Sequence, residues 1–586
     1  MRPNDRDNEA SAHAADLVPL IVGVTGHRDL VTDELATIER AVTAFLADMR
    51  KRFPDRPLRV LTPLAEGADR LVARSALALG LDILVVLPMP RALYVADFQS
   101  GASQAEFERL CAAARAVHEL PVASDTTPAE IATGGDARNR QYAQLGVFLC
   151  AHSHVLLALW DGKPSSELGG TAQVVEFHRE DVMRGYAPTE TLNQQVLAND
   201  ESDLVYHIVV SRDRPDGRAS NGLKIGSGAW LTGDKTATRL TELATPYVRV
   251  FERTGMFNRE AAQHADEIAR ESYPLLQESD RNGLPAEAGF INRLFCAADW
   301  LAIHYQRKTL SALRVTYSLT FVMGLMFMFY ADFEALRLFV LVFFACFFVA
   351  FAIHAVAARG QWHARYLEYR ALAEGLRVQF YWAAAGVTTE LVTKYSHDSF
   401  LQKQDIELGW IRNVMRVAAI GSDAAANPDS AGLEFAVREW VGDEGRGGQL
   451  AYYTKKKSQN RERTKRLETF ARITSFFVVG VLILSVIVAS DDVRMRLFLI
   501  LGAMLLLVGV RQAYAYQVAE KEVIKQYEFM HTIFSNARRR LDTAVDDLER
   551  RRILRVLGEA ALDEHAQWIF VHRGRPSDAG GFLRLE

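Results

Sequence analysis

Three short stretches of this chain combine small, polar and charged residues in a way that suits an anionic ligand. They are Gly26-His27-Arg28-Asp29, Glu66-Gly67-Ala68-Asp69-Arg70 and Gly169-Gly170-Thr171, and each sits between an apolar run and a helix-like segment. Glycine lets the backbone approach a ligand closely, and a helix start offers free N–H groups with about half a positive charge. Thr171 is placed to donate a hydroxyl hydrogen bond or to cap its helix. Arg28 and Arg70 add charge-assisted bonds to a phosphate. In Trp160-Asp161-Gly162 the indole offers a stacking face and the carboxylate an acceptor for a ribose hydroxyl or base amine. No Walker lysine follows the Gly169-Gly170 turn, and the G-x-G-x-x-G spacing is absent.

Each of these residues also has a structural reading. Gly67 and Gly170 suit tight turns, Glu66 and Asp69 suit a helix start, Trp160 suits a core, and Arg28 and Arg70 suit a solvated face. His152 and His154 of "AHSH" lie two apart without Cys or carboxylate company, so no metal site is expected there. The case for a ligand site is that the signals share one edge of one inferred sheet.

That sheet is read from Leu17 to about Arg212. "LVPLIVGVTGH", "LRVLTPLA", "LDILVVLPM", "HVLLALWDG" and "DLVYHIVVSR" are continuous apolar runs, as expected of strands buried on both faces. Helical stretches separate them, "SQAEFERLCAAARAV" among them, which implies an α/β, mostly parallel sheet with right-handed crossovers. Ligands of such sheets sit beyond the carboxyl ends of the strands, where all three stretches fall. The Gly- and Ser-rich segment Asp213–Ala237 reads as a connector, followed by helix up to residue 286.

At 586 residues the chain exceeds one compact core, and a net charge of −4 argues against a dedicated nucleic-acid binder. The four cysteines, Cys111, Cys150, Cys296 and Cys346, lack metal-ligand spacing and are expected to be reduced and packed. The polar first sixteen residues do not resemble a cleavable signal peptide.

Four apolar runs stand apart: Val315–Ala331, Leu338–Ala358, Ile473–Ser490 and Leu497–Val510, the last extended by "AYAY" to a span of 495–514. A membrane-spanning helix needs about 20 residues. The runs form two pairs that read as a duplication. "ADFEALRLF" aligns with "SDDVRMRLF", matching Asp332 to Asp491 and Arg337 to Arg496, and "RYLEYRAL" resembles "KQYEFMHT". Lys and Arg crowd the outer ends of both pairs, notably Lys455–Arg466, so both termini are expected on the cytoplasmic side. The basic run also suits anionic lipid heads or a solvated helix face.

With these residues in hand, "GVTGHRDL", "LAEGADRLVARSALALGLDILVVLP", "ALWDG" and "GGTAQVV" together resemble the SLOG superfamily, Rossmann-like domains related to the DprA and LOG proteins. The membrane part, roughly Glu287–Leu541, is similar to two copies of SLATT two-helix membrane effectors. The expected division is 17–212 SLOG-like, 213–286 connector, 287–420 and 432–545 SLATT-like units, and 546–586 a tail. The resemblance implies a nucleotide-derived ligand, no required cofactor, a bacterial inner-membrane homo-oligomer, and a pore-forming or membrane-disrupting effector in anti-phage defence.

LOG enzymes cleave the N-glycosidic bond of a nucleoside monophosphate, using a Glu three residues after the Thr of the Gly-rich turn. That position is Val174 here. Glu176 lies two residues later, about 200° away around a helix, and does not replace it. The departure favours binding over hydrolysis, leaving Glu66 as a candidate general acid or base, with Asp69 or Asp161 beside it. A nucleotide-regulated channel is a further reading. Among the apolar runs His354, Ser318, Thr320, Thr474 and Ser485 are the notable polar candidates and no ionisable chain resembling a proton relay is present, which disfavours proton-coupled transport.

Overall fold

In the computed structural model the described residues are 17–573, apart from 99, 124–125, 187–200, 234–238, 278–279, 281–283, 333–336, 388–394, 396–399, 402–405, 425–429, 446 and 489. Contacts divide the chain into two compact units, Met1–Ala297 with Leu372–Leu433, and Ala298–Ala371 with Glu434–Glu586.

The first unit is built on strands β1 (Leu20–Gly26), β2 (Leu58–Thr62), β3 (Asp82–Leu87), β4 (Ala116–Glu119), β5 (Val155–Trp160), β6 (Val205–Val209) and β7 (Gly228–Leu231). They form one sheet in the order β4-β3-β2-β1-β5-β6-β7. Every pairing is parallel except β6 with β7. The five apolar runs became strands because both sheet faces are covered; Val22, Val24, Leu157 and Leu159 are fully buried. β4 emerged from a stretch expected to be helical. It is an edge strand of half-buried and exposed residues, so it lacks an apolar signature. β7 lies in the expected connector, where Gly228 admits the Tyr206 hydroxyl of β6; a Cβ there would come 2.1 Å from it.

Five helices flank this sheet in sequence: α1 (Leu35–Arg52), α2 (Ala68–Ala78), α3 (Gly101–Ala113), α4 (Asp136–His152) and α5 (Thr171–Glu180). α6 (Thr245–Gln263) follows. Three longer helices come next, α7 (Ala286–Asp332), α8 (Arg337–Arg359) and α9 (Trp362–Ala385), and then the shorter α10 (Gly409–Asp423). α10 belongs with the α/β unit, although its stretch was expected to go with the first membrane hairpin. Twelve consecutive residues of it, Gly409–Ile420, are buried.

α10 is held by charge as well as by burial. Glu201, fully buried, takes Arg412 in a two-pronged ion pair with Nε at 2.9 Å, and Arg416 lies 3.5 Å away. The "AHSH" histidines close the same contact. His154 Nδ1 accepts from the Ile21 N–H at 2.8 Å, so its Nε2 carries the proton and donates to the Asn413 carbonyl at 3.0 Å. His152 Nδ1 lies 3.0 Å from the Arg416 carbonyl and its Nε2 3.3 Å from Asp423. Burial, with Arg56 beside it, holds His154 well below the usual imidazole range.

The second unit is helical: the remainder of α7 and α9, α8, then α11 (Gly448–Ile487), α12 (Asp491–Gln517), α13 (Glu520–Thr543) and α14 (Asp547–Arg573). Four of its helices, α7, α8, α11 and α12, are long and apolar enough to cross a membrane. They contain the first, second and fourth expected runs, and the third, Ile473–Ser490, as far as Ile487, where α11 ends. α7 and α12 pack antiparallel through glycine notches. A Cβ on Gly324 would come 2.4 Å from Leu506, and one on Gly502 would come 2.5 Å from Met328. Small residues at such crossings are how membrane helices bring backbones close. The two turns between paired runs include 333–336 and 489, which lie outside the described residues.

Candidate functional site

The strand order reverses between β1 and β5, so the crevice expected to take a ligand lies beyond Gly26 and Trp160. The ladder runs one residue further here, His27 N–H donating to the Leu159 carbonyl at 3.2 Å.

At the end of β1, the first two stretches meet. Gly67 has φ +81°, and a Cβ on it would come 2.2 Å from the Arg28 carbonyl oxygen. Only glycine fits both demands. The Ala68 N–H then donates to the His27 carbonyl at 3.1 Å, so α2 spends its first amide on the end of β1. The third stretch joins them from the other side. Gly169, φ +75°, lies against Tyr142 and Ala143 of α4, with a Cβ clearance of 2.7 Å to the Ala143 nitrogen. The Arg28 guanidinium sits 5.0 Å from the centre of the Tyr142 ring. Gly169, Tyr142, Arg28 and Gly67 thus form one continuous chain of contacts.

Asp97 is the hub beneath that chain. It accepts from Arg138 Nη2 at 2.6 Å and from the Tyr142 hydroxyl, and lies 3.9 Å from Arg28. Asp69 is buried close by. Its Oδ2 accepts from the Ala65 N–H at 3.3 Å, whereas its Oδ1 has no hydrogen-bond partner. Burial pushes its carboxyl up to about 7, against the pull of Arg28 and Arg70. The Tyr94 hydroxyl, fully buried within electrostatic reach of Asp69 and Arg28, has no partner either. Two unpaired buried oxygens beside a half-exposed guanidinium make this a place where a polar ligand gains.

Other expected residues are committed to structure. Arg70 is 2% exposed. Its Nε donates to the Leu64 carbonyl at 3.0 Å and its Nη1 to Ser103 Oγ at 2.8 Å, with the cation 4.5 Å from the Phe98 ring centre. Leu64, at φ +58°, is a bend that this arginine holds. Glu66 accepts from the Ser103 hydroxyl. The Trp160 indole N–H donates to the Lys163 carbonyl at 2.9 Å, and its ring lies 5.2 Å from that of His207. Asp161 is buried, 3.3 Å from His27 Nε2, and accepts from the Lys163 N–H at 3.1 Å. Burial holds His27 below its ordinary range despite Asp161. Gly162 packs on Leu223.

α5 starts at Thr171 with Gly170 as its N-cap, and no side chain caps it. The Gly170 N–H donates to the Glu167 carbonyl at 3.0 Å. Val174 faces α4, and its Cγ2 would be 2.7 Å from a Cβ on Gly146. A carboxylate at that position would sit in apolar packing, which explains physically why valine stands there. Glu176 is 3.9 Å from Arg184 instead.

Tyr94, Asp97, Arg138 and Tyr142 were not among the expected residues. The spacing of Arg138 and Tyr142, four apart on one helix face, was the available signal. Among the described residues no cluster of His, Cys, Asp and Glu is suited to a metal. Comparison with protein families and with curated proteins finds no match for this chain.

Proposed function

We propose that this protein is a membrane-anchored sensor-effector whose SLOG-like unit binds a nucleotide-derived signal and gates a SLATT-like pore-forming or membrane-disrupting region. The observation that carries the reading is the meeting of Arg28 and Gly169 at Tyr142, with Gly67 packed on the Arg28 carbonyl, at the strand-order reversal. Arg28 supplies the charge for a phosphate, the uncapped start of α5 supplies amides, and Asp69 with Tyr94 supplies an acceptor and a donor for a base or ribose. The four apolar helices supply the output. A ligand that favours one arrangement of the α/β unit shifts the membrane helices between closed and open assemblies.

The setting proposed is a bacterial inner membrane with both termini cytoplasmic, a homo-oligomer, and anti-phage defence. The two hairpins are read as a duplication, and four helices per chain make a poor pore alone. The test is mass spectrometry of the small molecules that co-purify with the full chain. A nucleotide retained by the wild type and lost on Arg28→Ala supports the reading; equal retention by both overturns the site.

One observation favours a second reading, a membrane-tethered nucleotide-processing enzyme. Asp69 combines burial, an unpaired oxygen and a carboxyl pushed up to about 7, which suits a general acid or base at neutral pH. Incubation with NAD and nucleoside monophosphates decides: free base formed by the wild type and not by Asp69→Asn would replace binding with catalysis.

A further inference from the structure

Toward the amino ends of the strands, away from the crevice at Gly26 and Trp160, the α/β unit holds a second cleft of about 170 Å³. Pro19, Ile21 and Leu84 form its sheet wall, and Phe290 of α7 with Val417 and Ile420 of α10 form the facing one. Three polar side chains line it: Arg59, His118 and Glu287.

The charges have a pattern. Arg59 is 9% exposed, and its Nε is fully buried with no partner in hydrogen-bond geometry. The carboxylate beside it, Asp82 Oδ2 at 3.3 Å, is shared with Arg115 at the same distance, so one anion serves two cations. Glu287, in the first turn of α7, brings a carboxylate to the lining. Burial keeps His118 below the ordinary imidazole range, which leaves it neutral near pH 7. The lining therefore offers one under-satisfied cation, one carboxylate and an apolar wall.

We propose that this cleft binds an apolar α-amino acid, with its carboxylate on Arg59, its ammonium on Glu287 and its side chain against Ile21, Leu84, Phe290 and Val417. A simple carboxylic acid would leave Glu287 facing a second negative charge, and a simple amine would leave Arg59 facing a second positive one. A zwitterion meets both and keeps the buried charge balanced. The size agrees: a cavity of about 150 Å³ accepts a benzene-sized body, so a branched or aromatic side chain fits. The walls come from the sheet, α7 and α10, so the occupant bridges three elements of the same unit.

The test is isothermal titration of the full chain in lipid nanodiscs with L-leucine, L-leucinamide and N-acetyl-L-leucine. L-leucine is expected to bind, with each blocked analogue weaker by about tenfold or more. Glu287→Gln keeps the side chain's shape and is expected to weaken L-leucine by about tenfold while leaving hydrogen exchange in α10 unchanged. Arg59→Met is expected to do the same. No binding of L-leucine at millimolar concentration, equal binding of the blocked analogues, or undiminished binding by Glu287→Gln would each overturn the proposal.

Discussion

In the α/β unit Val22, Val24 and Leu157 are fully buried, whereas Phe348 of α8 and Val486 of α11 are 62% and 85% exposed. The polar groups run the other way. Glu201, Arg412 and Arg416 are 0–2% exposed within the first unit, while the described residues of α8 and α12 include no buried ones. One unit closes its apolar surface on itself and can therefore hold charge inside. The other leaves apolar surface outward, on helices long and apolar enough to cross a membrane. The difference teaches where each kind of substitution should hurt.

The largest effect is expected in the buried ion pair. Glu201→Ala strands two buried arginines and should cost about 3–5 kcal/mol. Hydrogen exchange should then rise through α10 while the apolar helices stay protected. An unchanged α10 would show that the Glu201 ion pair does not hold it. Next comes the outward apolar surface. Phe348→Arg puts a charge at the middle of α8, at a cost of about 2.5–3.5 kcal/mol on an insertion scale. It should shift the protein from the carbonate-resistant membrane fraction, whereas Phe348→Leu should not.

How far these contrasts could be read in advance differs by element. The five two-faced strands and the four apolar helices were legible because burial on all sides writes continuous apolar runs. β4 was not, since an edge strand of four half-buried or exposed residues has one neighbour and little apolar demand; β7 was not, since its four residues, Ala229 and Trp230 buried among them, are set in a Gly- and Ser-rich stretch. The glycine turns were legible as turns, but their use was not. Gly67 could serve a phosphate or a carbonyl, and only three-dimensional packing shows the Arg28 carbonyl against it. Arg70 misled because a guanidinium that suits phosphate equally suits the Leu64 and Ser103 oxygens. Asp97 and Tyr94 were invisible because neither lies beside a glycine turn.

A smaller effect sharpens the comparison within the α/β unit. Gly67→Ala forces an alanine into a positive-φ conformation at about 1–3 kcal/mol and drives a methyl into the Arg28 carbonyl. It should release the retained nucleotide while leaving α10 protected, which separates the crevice from the Glu201 contact. A pH slope is a further check on the same crevice. The Asp69 carboxyl is raised to about 7 in the folded chain from 3.8, so the native state binds the extra proton between those values. Stability contributed by this group is therefore full below about pH 4 and is lost as pH rises to about 7. Asp69→Asn should stabilise the protein relative to wild type at pH 8 and not at pH 4, read from urea midpoints at both. An equal difference at the two pH values would show that Asp69 titrates normally.

The central claim, that the α/β unit controls the apolar helices, is tested most directly by dye release. The full chain is reconstituted in calcein-loaded liposomes and challenged with the nucleotide fraction of an extract from phage-infected cells. Release by the wild type, absent with Arg28→Ala and absent after the fraction is treated with phosphodiesterase and phosphatase, is the predicted result. No release, or release that Arg28→Ala leaves intact, would contradict it.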